Sequence, residues 1–133
     1  MEGCLVPILS ILKAPKKKKS RRAYLIGQLD RLVSLKVRER DENRCKKCGR
    51  TPCYHHHIFT KTRLATRWNL KNGISVCFHC HRWAHAAGEE FRQWVISWMG
   101  QKEYDALYIT SQMRAGYKEV DLEWMLKDLR RRE

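Results

Sequence analysis

Acidic residues are scarce in this chain of 133 residues, and none lies between Glu2 and Asp30. Asp and Glu together number 14 against 28 Lys and Arg, which leaves a formal net charge of +14. A positive field of this size favours polyanionic partners, either nucleic acid or an anionic membrane surface. The alternative is that the charge serves only solubility.

Long hydrophobic runs are also absent, which argues against a transmembrane helix. The longest apolar stretch, residues 4–12, is too short to span a bilayer, and basic residues follow it rather than precede it as they would in a secretory signal. We therefore expect a cytoplasmic protein. In such a reducing compartment, six cysteines argue against a disulfide framework and for metal binding.

The first 22 residues are predicted to form a basic N-terminal arm. Seven of the ten residues from 13 to 22 are Lys or Arg, and Pro7 and Pro15 interrupt any amphipathic period. The arm is predicted to bind DNA phosphates rather than a membrane, or to be a solvated linker that can also bind DNA without folding. Its candidate DNA-binding residues are Lys16, Lys17, Lys18, Lys19, Arg21 and Arg22.

Two helical stretches flank a segment of different character. From Ala23, apolar residues recur at steps of three and four, which predicts a helix that fades near residues 40–43. After Gly88 one helix is predicted to stop at Gly100, a second to end near Gly116, and a third to have Asp121 as a candidate N-cap. Residues 44–85 hold five of the six cysteines and every histidine. The chain thus divides into an arm (1–22), a core (23–87) and a helical extension (88–133).

Two pairs of cysteines, each separated by two residues, carry the strongest signal. They are Cys45-Lys-Lys-Cys48 and Cys77-Phe-His-Cys80. This spacing lets both thiolates of a pair reach one ion, so two pairs together predict a tetrahedral, structural Zn²⁺ site. Isolated buried cysteines or a redox pair leave the double spacing unexplained. Cys4 and Cys53 are left over as small hydrophobic residues, although Cys53 could compete as a ligand.

The histidines form two groups within this segment. Three are consecutive, His55, His56 and His57, and two more, His81 and His85, follow the second cysteine pair. In a strand, His55 and His57 would share one face and His56 would lie on the other. In a helix that follows the cysteines, His81 and His85 would lie one turn apart on the same face. The strand, a loop that carries Asn69, and the helix could therefore converge on one ion.

With these motifs in this order, the sequence resembles the HNH, or ββα-metal, nuclease family. In particular, it is similar to the zinc-knuckle branch, which includes phage endonuclease VII-like and NinG-like recombination nucleases. That branch places one CxxC pair before the His pair and a second directly before the last metal ligand, as residues 35–86 do here. The resemblance implies an α+β fold, in which a small ββα-metal zinc-knuckle core within residues 23–87 is flanked by an N-terminal helix and C-terminal helices.

The resemblance also implies roles for individual residues. It places His56, His81 and His85 as ligands of a catalytic divalent ion and His57 as the general base. Asn69 matches the asparagine that orients the base or its loop. Imidazole ligands suit Mn²⁺ or another transition metal better than Mg²⁺, which would take most of its ligands from water and phosphate.

The residues themselves leave other interpretations open. We take His57 as the base because Ile58 matches the hydrophobic residue that usually follows it, and His55 is then left to support the site or face DNA. Alternatively, His57 is an ordinary buried histidine, Asn69 a turn residue and His85 a solvent-facing helix residue.

The activity that the resemblance implies is a metal-dependent DNA endonuclease, phage-related and located in the cytoplasm of a bacterial host. It would hydrolyse phosphodiester bonds with a histidine base and one divalent ion. Arg63 and Arg67 are predicted to clamp phosphate, or else to form a solvated basic loop. No recognition helix is evident, so we expect weak sequence specificity or specificity for DNA structure.

Two non-catalytic alternatives compete with this interpretation. A zinc-stabilised DNA-binding module would explain the charge and the cysteines but not the order of the histidines. An adaptor for a phage packaging or recombination complex would bind its partner through residues 88–133, and exposure of Trp94, Trp98 or Trp124 would favour it. A homodimer is expected if the substrate is a DNA junction that needs two active sites.

Overall fold

The computed structural model describes residues 14–132, so most of the predicted arm, with Cys4, lies outside the described residues. The described chain has the predicted α+β fold, in which six helices surround one two-stranded sheet. The elements are α1 (Arg21–Arg40), β1 (Tyr54–His57), α2 (Leu64–Arg67), a 3-10 turn (Leu70–Asn72), β2 (Gly73–Val76), α3 (Phe78–Ala86), α4 (Gly88–Met99), α5 (Gln101–Ser111) and α6 (Glu119–Arg131). No helix within residues 14–132 is both long enough and apolar enough to cross a membrane.

Helix α1 begins slightly earlier than the sequence pattern indicated, so Arg21 and Arg22 belong to a helix rather than to an irregular arm. Ser20 is its N-cap, and the Ser20 side chain accepts a hydrogen bond from the amide of Ala23 at 3.1 Å. Apolar residues at three- and four-residue steps bury one face of the helix. They are Leu25, Leu29, Val33 and Val37.

Helix α6, the last helix of the described chain, covers this buried face of the first helix. The residues that it contributes to the shared core are Leu122, Leu126 and Leu129. Two contacts show that the helices run parallel. Arg21 pairs with Glu123 near their N-terminal ends, and Lys36 donates to the carbonyl of Arg132 near their C-terminal ends. Residues distant in sequence therefore form one core around α1.

The helix ends in the second half of the chain differ in part from the predicted ones. Gly100 does end α4, with a φ of 91° that favours glycine. The next helix ends at Ser111, before Gly116. Asp121 is not an N-cap, since it lies inside the first turn of α6 and its carboxylate accepts from the amide of Lys118, the N-cap residue, at 2.8 Å.

Strands β1 and β2 pair antiparallel and lead directly into α3, which makes a β–β–α unit. The register pairs His56 with Ile74 and His57 with Gly73. Cys77 is the N-cap residue of α3, so the second cysteine pair begins where β2 ends. Every residue of β2 is buried, whereas along β1 Tyr54 is exposed, His56 is buried and His55 and His57 are half-buried. The ring of His56 lies close to α3.

Arg40 and Asp41, at the end of α1, fix the β–β–α unit to that helix. Arg40 donates to both carboxylate oxygens of Asp41 at 2.9 Å and to the carbonyls of Leu70 and Gly73, each at 2.8 Å. Asp41 is buried and also accepts from the amide of Ser75 at 3.0 Å. Because the buried carboxylate is fully paired, the ion pair holds α1 against β2 without leaving a buried charge unsatisfied.

A second core lies between the cysteine pairs, β2 and the helices α3, α4 and α5. Its buried members include Ile74, Val76, Phe91, Val95 and Tyr104. Three tryptophans pack against this core and are half-buried. They are Trp83, Trp94 and Trp98. Each core draws residues from both 23–87 and 88–133, so that predicted boundary does not separate two packed bodies.

Candidate metal centres

Four cysteines come together between the loop that precedes β1 and the start of α3. The Sγ atoms of Cys45, Cys48, Cys77 and Cys80 all lie within 4.8 Å of one another, and those of Cys48 and Cys77 are 3.5 Å apart. Thiolates bound tetrahedrally at about 2.3 Å from one Zn²⁺ would be roughly 3.8 Å apart. The four residues therefore form a group that can hold one metal ion, and Cys53 is buried outside this group.

Backbone hydrogen bonds shape the first cysteine pair. Gly49 has a φ of 74°, which favours glycine, and its amide donates to the carbonyl of Cys45 at 2.8 Å. The amide of Lys46 donates to the carbonyl of Ser75 at 2.8 Å and so anchors the turn on β2. Burial raises the pKa of Cys45, but hydrogen bonds, first among them one from the backbone of Cys77, outweigh burial and lower that pKa to about 6. The thiolate, which is the form that binds metal, is thereby favoured at Cys45, whereas burial and hydrogen bonds with the other thiols raise the pKa of Cys80.

Three histidines form a second group that can share one ion. A ring nitrogen of each of His56, His81 and His85 lies within 4.8 Å of the others, and the Nε2 atoms of His81 and His85 are 3.0 Å apart. Imidazoles bound at about 2.0–2.1 Å from one ion have nitrogens roughly 3 Å apart. The group forms because β1 presents His56 to α3, where His81 and His85 lie one turn apart.

The three-histidine group has a buried side and an open side. His56 is buried, and Phe91 packs edge-on against its ring with centroids 5.2 Å apart. His85 is exposed. Burial, together with the nearby His81 and His85, lowers the pKa of His56 to about 4. His56 is therefore neutral near pH 7, and neutral imidazole is the form that binds a metal.

Adjacent side chains of a strand point to opposite faces of the sheet, yet His56 and His57 border one cleft. The rings of His55 and His57 lie together, with centroids 4.4 Å apart. At the end of the strand, a cleft of ≈ 280 Å³ is lined by His56, His57 and His85. Burial lowers the pKa of His57 below its ordinary value, against a hydrogen bond with the backbone of Arg67 that raises it. A neutral imidazole thus stands beside the three-histidine group.

His55 packs the sheet onto α1, with its Nε2 turned away from solvent. Its Nε2 is buried and has no hydrogen-bond partner within residues 14–132. Its ring lies over Gly73, where an added Cβ would be 2.6 Å from Nε2 of His55 and 2.6 Å from Cγ2 of Val37. Burial lowers the pKa of His55 to about 4. The side chain therefore supports the sheet that carries the site.

Asn72 was not predicted as a site residue, yet its buried side chain holds the segment that follows β1. Its Oδ1 accepts from the amide of Phe59 at 2.8 Å, and its Nδ2 donates to the Phe59 carbonyl at 2.9 Å. Asn69, in contrast, is exposed, and its side chain accepts from the amide of Lys71 at 2.9 Å within its own turn. Asn72 rather than Asn69 is thus placed to orient the loop after His57. The position of a polar residue directly before a buried strand was the signal that could have identified it.

The two arginines predicted to clamp phosphate differ in how accessible their side chains are. Arg67 donates from Nε and Nη2 to the carboxylate of Asp30 at 3.1 and 2.8 Å, and only 18% of its side chain is exposed. Trp68 Nε1 donates to the same carboxylate at 2.8 Å. Arg67 therefore holds α2 to α1 and is not free to bind phosphate. Arg63 is exposed where α2 begins.

The described part of the basic arm divides into free and docked residues. The free ones are exposed and precede α1. They are Lys16, Lys17, Lys18 and Lys19. Arg21 pairs with Glu123 at 3.3 Å, and Arg22 donates to the carbonyl of Tyr117. The two arginines thus fasten α1 to the C-terminal part of the chain, and the lysines offer the more accessible charge.

Arg92 and Tyr104 also line the histidine cleft, and neither was predicted as a site residue. They belong to α4 and α5, which lie beyond the residues that resemble the nuclease family. No motif marks them, because only the packing of these helices against the β–β–α unit brings them to the cleft.

Comparison with known proteins gives no match: no family model, no curated protein and no solved structure is similar to this chain. The ability of the four cysteines to hold one metal ion is therefore inferred from their geometry. The assignment of the histidines to a reaction depends on the sequence motifs and on where the fold places them.

Proposed function

We propose that this protein is a metal-dependent DNA endonuclease of the HNH, or ββα-metal, type. The observation that carries the proposal is the placement of His57 in one cleft with His56 and His85, which belong to a group of imidazoles able to hold an ion. The order of the motifs and the net charge of +14 support the same function. The reaction would be hydrolysis of a phosphodiester bond.

His57 is the general base in this proposal. Burial favours its neutral ring, which can take a proton from an attacking water near pH 7. The backbone of Arg67 acts against this shift of the His57 pKa, and the Arg67 side chain is held by Asp30. Asn72 ties the segment after β1 and so limits movement of the base.

The two candidate centres differ in their donor atoms and therefore in the metals that we propose for them. Four thiolates suit a structural Zn²⁺. The imidazoles of His56, His81 and His85 would hold one catalytic divalent ion, and Mn²⁺ or another transition metal suits them better than Mg²⁺. Such an ion supplies Lewis-acid charge for the scissile phosphate and for the leaving oxygen.

DNA is the proposed substrate because the chain carries a large excess of basic residues. The sequence has no evident recognition helix, so Lys and Arg side chains would contact mainly the DNA backbone. Backbone contacts favour weak sequence specificity or recognition of DNA structure. The family resemblance further suggests a phage-related protein that acts in the cytoplasm of a bacterial host. Cleavage of a branched substrate on two strands would require a homodimer.

Cleavage of supercoiled plasmid tests the proposal. The wild-type protein should nick plasmid when Mn²⁺ or Mg²⁺ is added, and His57→Ala should lose nicking while it keeps its fold and its bound zinc. His79→Ala is the matched control, because His79 is an exposed histidine within the second cysteine pair. Equal cleavage by wild type and His57→Ala would refute the role of His57. Tight plasmid binding without cleavage by any variant would favour a zinc-stabilised DNA-binding module.

One observation favours a second candidate, an adaptor that binds a phage packaging or recombination protein. Trp124, on α6, is 64% exposed, as a partner-binding surface would require. Trp94 and Trp98 are half-buried against the core and do not add to this surface. A Trp124→Ala variant with unchanged plasmid cleavage would show that any partner binding by Trp124 is separate from catalysis.

A further inference from the structure

The histidine cleft carries a cation whose role the proposed reaction does not assign. Arg92, on α4, lines the cleft together with His56, His57 and His85. Its guanidinium lies 5.5 Å from the centroid of the Tyr104 ring. A guanidinium stacked on an aromatic face keeps its N–H edge available for hydrogen bonds, and that edge matches the geometry of a phosphate.

The ion pair that Arg92 makes is weak enough to be exchanged. Nη1 of Arg92 lies 3.2 Å from Oε1 of Glu89, one turn earlier on the same helix. Both side chains are well exposed, 46% for Arg92 and 64% for Glu89. Exposed pairs of this kind contribute little, since solvent screens them and the side chains lose entropy when they pair. A phosphate in the cleft could therefore take the place of Glu89.

The charges around the cleft favour an anion. Its lining contains imidazoles, apolar groups, a threonine, a tyrosine and Arg92, and no carboxylate is among the described residues that form it. Arg67, the other arginine near His57, is already bound to Asp30. Arg92 is thus the guanidinium that can meet a phosphate beside the three-histidine group.

We propose that Arg92 is a substrate-binding residue, which holds a backbone phosphate of the DNA strand in the histidine cleft. This inference rests on the proposed nuclease function for its choice of substrate. It adds a contact from outside the segment that resembles the nuclease family. Because a phosphate can accept two parallel N–H bonds from one arginine, the contact would fix the strand as well as attract it.

The test compares Arg92→Ala and Arg92→Lys with Arg82→Ala. Arg82 is a matched control, an exposed arginine on α3 whose guanidinium lies 5.7 Å from the Phe78 ring, outside the lining of the cleft. For Arg92→Ala we expect kcat/KM for plasmid nicking to fall on the order of 10- to 100-fold, mostly through KM. Arg92→Lys should recover only part of this loss, because lysine keeps the charge but not the paired N–H bonds. Arg82→Ala should have a much smaller effect.

DNA binding is measured separately, by fluorescence anisotropy with a short labelled duplex and metal-loaded protein that carries His57→Ala to prevent cleavage. Adding Arg92→Ala should lower the slope of log affinity against log salt by about 0.9, as expected for one lost phosphate contact. Thermal melting checks the fold, and Arg92→Gln serves in place of Arg92→Ala if the latter is unstable.

The outcomes separate the two proposals. If Arg92→Ala matches Arg82→Ala in both kcat/KM and salt slope, the role of Arg92 is refuted while the nuclease stands. If the wild type never cleaves, but Arg92→Ala lowers the salt slope more than Arg82→Ala does, the nuclease proposal fails and the phosphate contact stands.

Discussion

The Nε2 atoms of His81 and His85 lie 3.0 Å apart on consecutive turns of α3. Two neutral imidazoles can share a hydrogen bond at that distance, and they can equally bind one ion. The ring of His56 faces both of them, with centroids 4.9 and 5.1 Å away. A third imidazole adds nothing to a hydrogen bond between the other two, whereas it completes a three-ligand metal site. We therefore favour the metal, and the choice can be tested directly.

His85→Ala should remove one class of bound metal and leave the other. Two groups can hold an ion, so the wild type should bind two equivalents of Co²⁺ and the variant about one. The remaining Co²⁺ should keep the absorption of a thiolate complex, because the four cysteines are unchanged. His79→Ala is the control, since His79 belongs to neither group. Equal metal content in wild type and His85→Ala would leave His81 and His85 as a hydrogen-bonded pair.

Cys45→Ala should unfold the protein, whereas Cys53→Ala should not. Structural zinc in small domains contributes about 10–16 kcal/mol of binding free energy to folding, which exceeds the stability of most domains. Both cysteines are buried, but only Cys45 belongs to the four-cysteine group, so the pair separates metal binding from packing. Circular dichroism and zinc content provide the measurement. A folded, zinc-free Cys45→Ala protein would show that the group does not hold the fold together.

The features of this fold that could be predicted from sequence are those carried by local spacing. The period of apolar residues predicts α1, and the double CxxC spacing predicts that the four cysteines meet. The strand and helix periods also predict the faces of His56, His81 and His85, which the structure brings together. In each case the signal is a spacing within one element or one short motif, even where the residues that meet, such as His56 and His81, are distant in sequence.

The features that could not be predicted depend on packing between distant segments. Asn69 and Asn72 are both compatible with a turn, and only the burial of Asn72 against the segment after β1 distinguishes them. Arg67 has the sequence appearance of a free cation, yet Asp30 on α1 binds it. Arg92 reaches the cleft only because α4 packs beside the β–β–α unit. Local spacing contains no information on such contacts.

Asn72→Ala should destabilise the protein far more than Asn69→Ala. Removal of the Asn72 side chain leaves the amide and the carbonyl of Phe59 without their partner, which costs roughly 2–4 kcal/mol in the free energy of unfolding. Asn69 only caps an exposed turn, so its loss costs about 1 kcal/mol or less. Urea denaturation of zinc-loaded protein measures both. Plasmid nicking should follow the same order, and equal loss of nicking in both variants would restore a site role for Asn69.

Gly73→Ala should destabilise the sheet that carries the histidines. The backbone at Gly73 is extended, with φ −111° and ψ 146°, so alanine introduces no backbone strain. The added Cβ would instead lie 2.6 Å from His55 and from Val37, two side chains packed between β2 and α1. Overpacking of this kind costs about 1–3 kcal/mol. Gly27→Ala is the matched control, because Gly27 lies within α1 and the added Cβ would be 3.6 Å from Nη2 of Arg31, an ordinary contact. This substitution should stabilise the protein by about 0.5–1 kcal/mol.

The double variant His55→Ala/Gly73→Ala identifies the cause of that loss. If the clash with the imidazole dominates, His55→Ala should make the second substitution nearly neutral, and the two changes should be strongly non-additive in urea denaturation. Additive losses would place the strain on Val37, which is fully buried and whose Cγ2 would lie 2.6 Å from the added Cβ. Since Gly73 pairs with His57 across the sheet, a shift at this point should also lower plasmid nicking. Gly73→Ala with wild-type stability and wild-type nicking would contradict the close packing of His55 on β2.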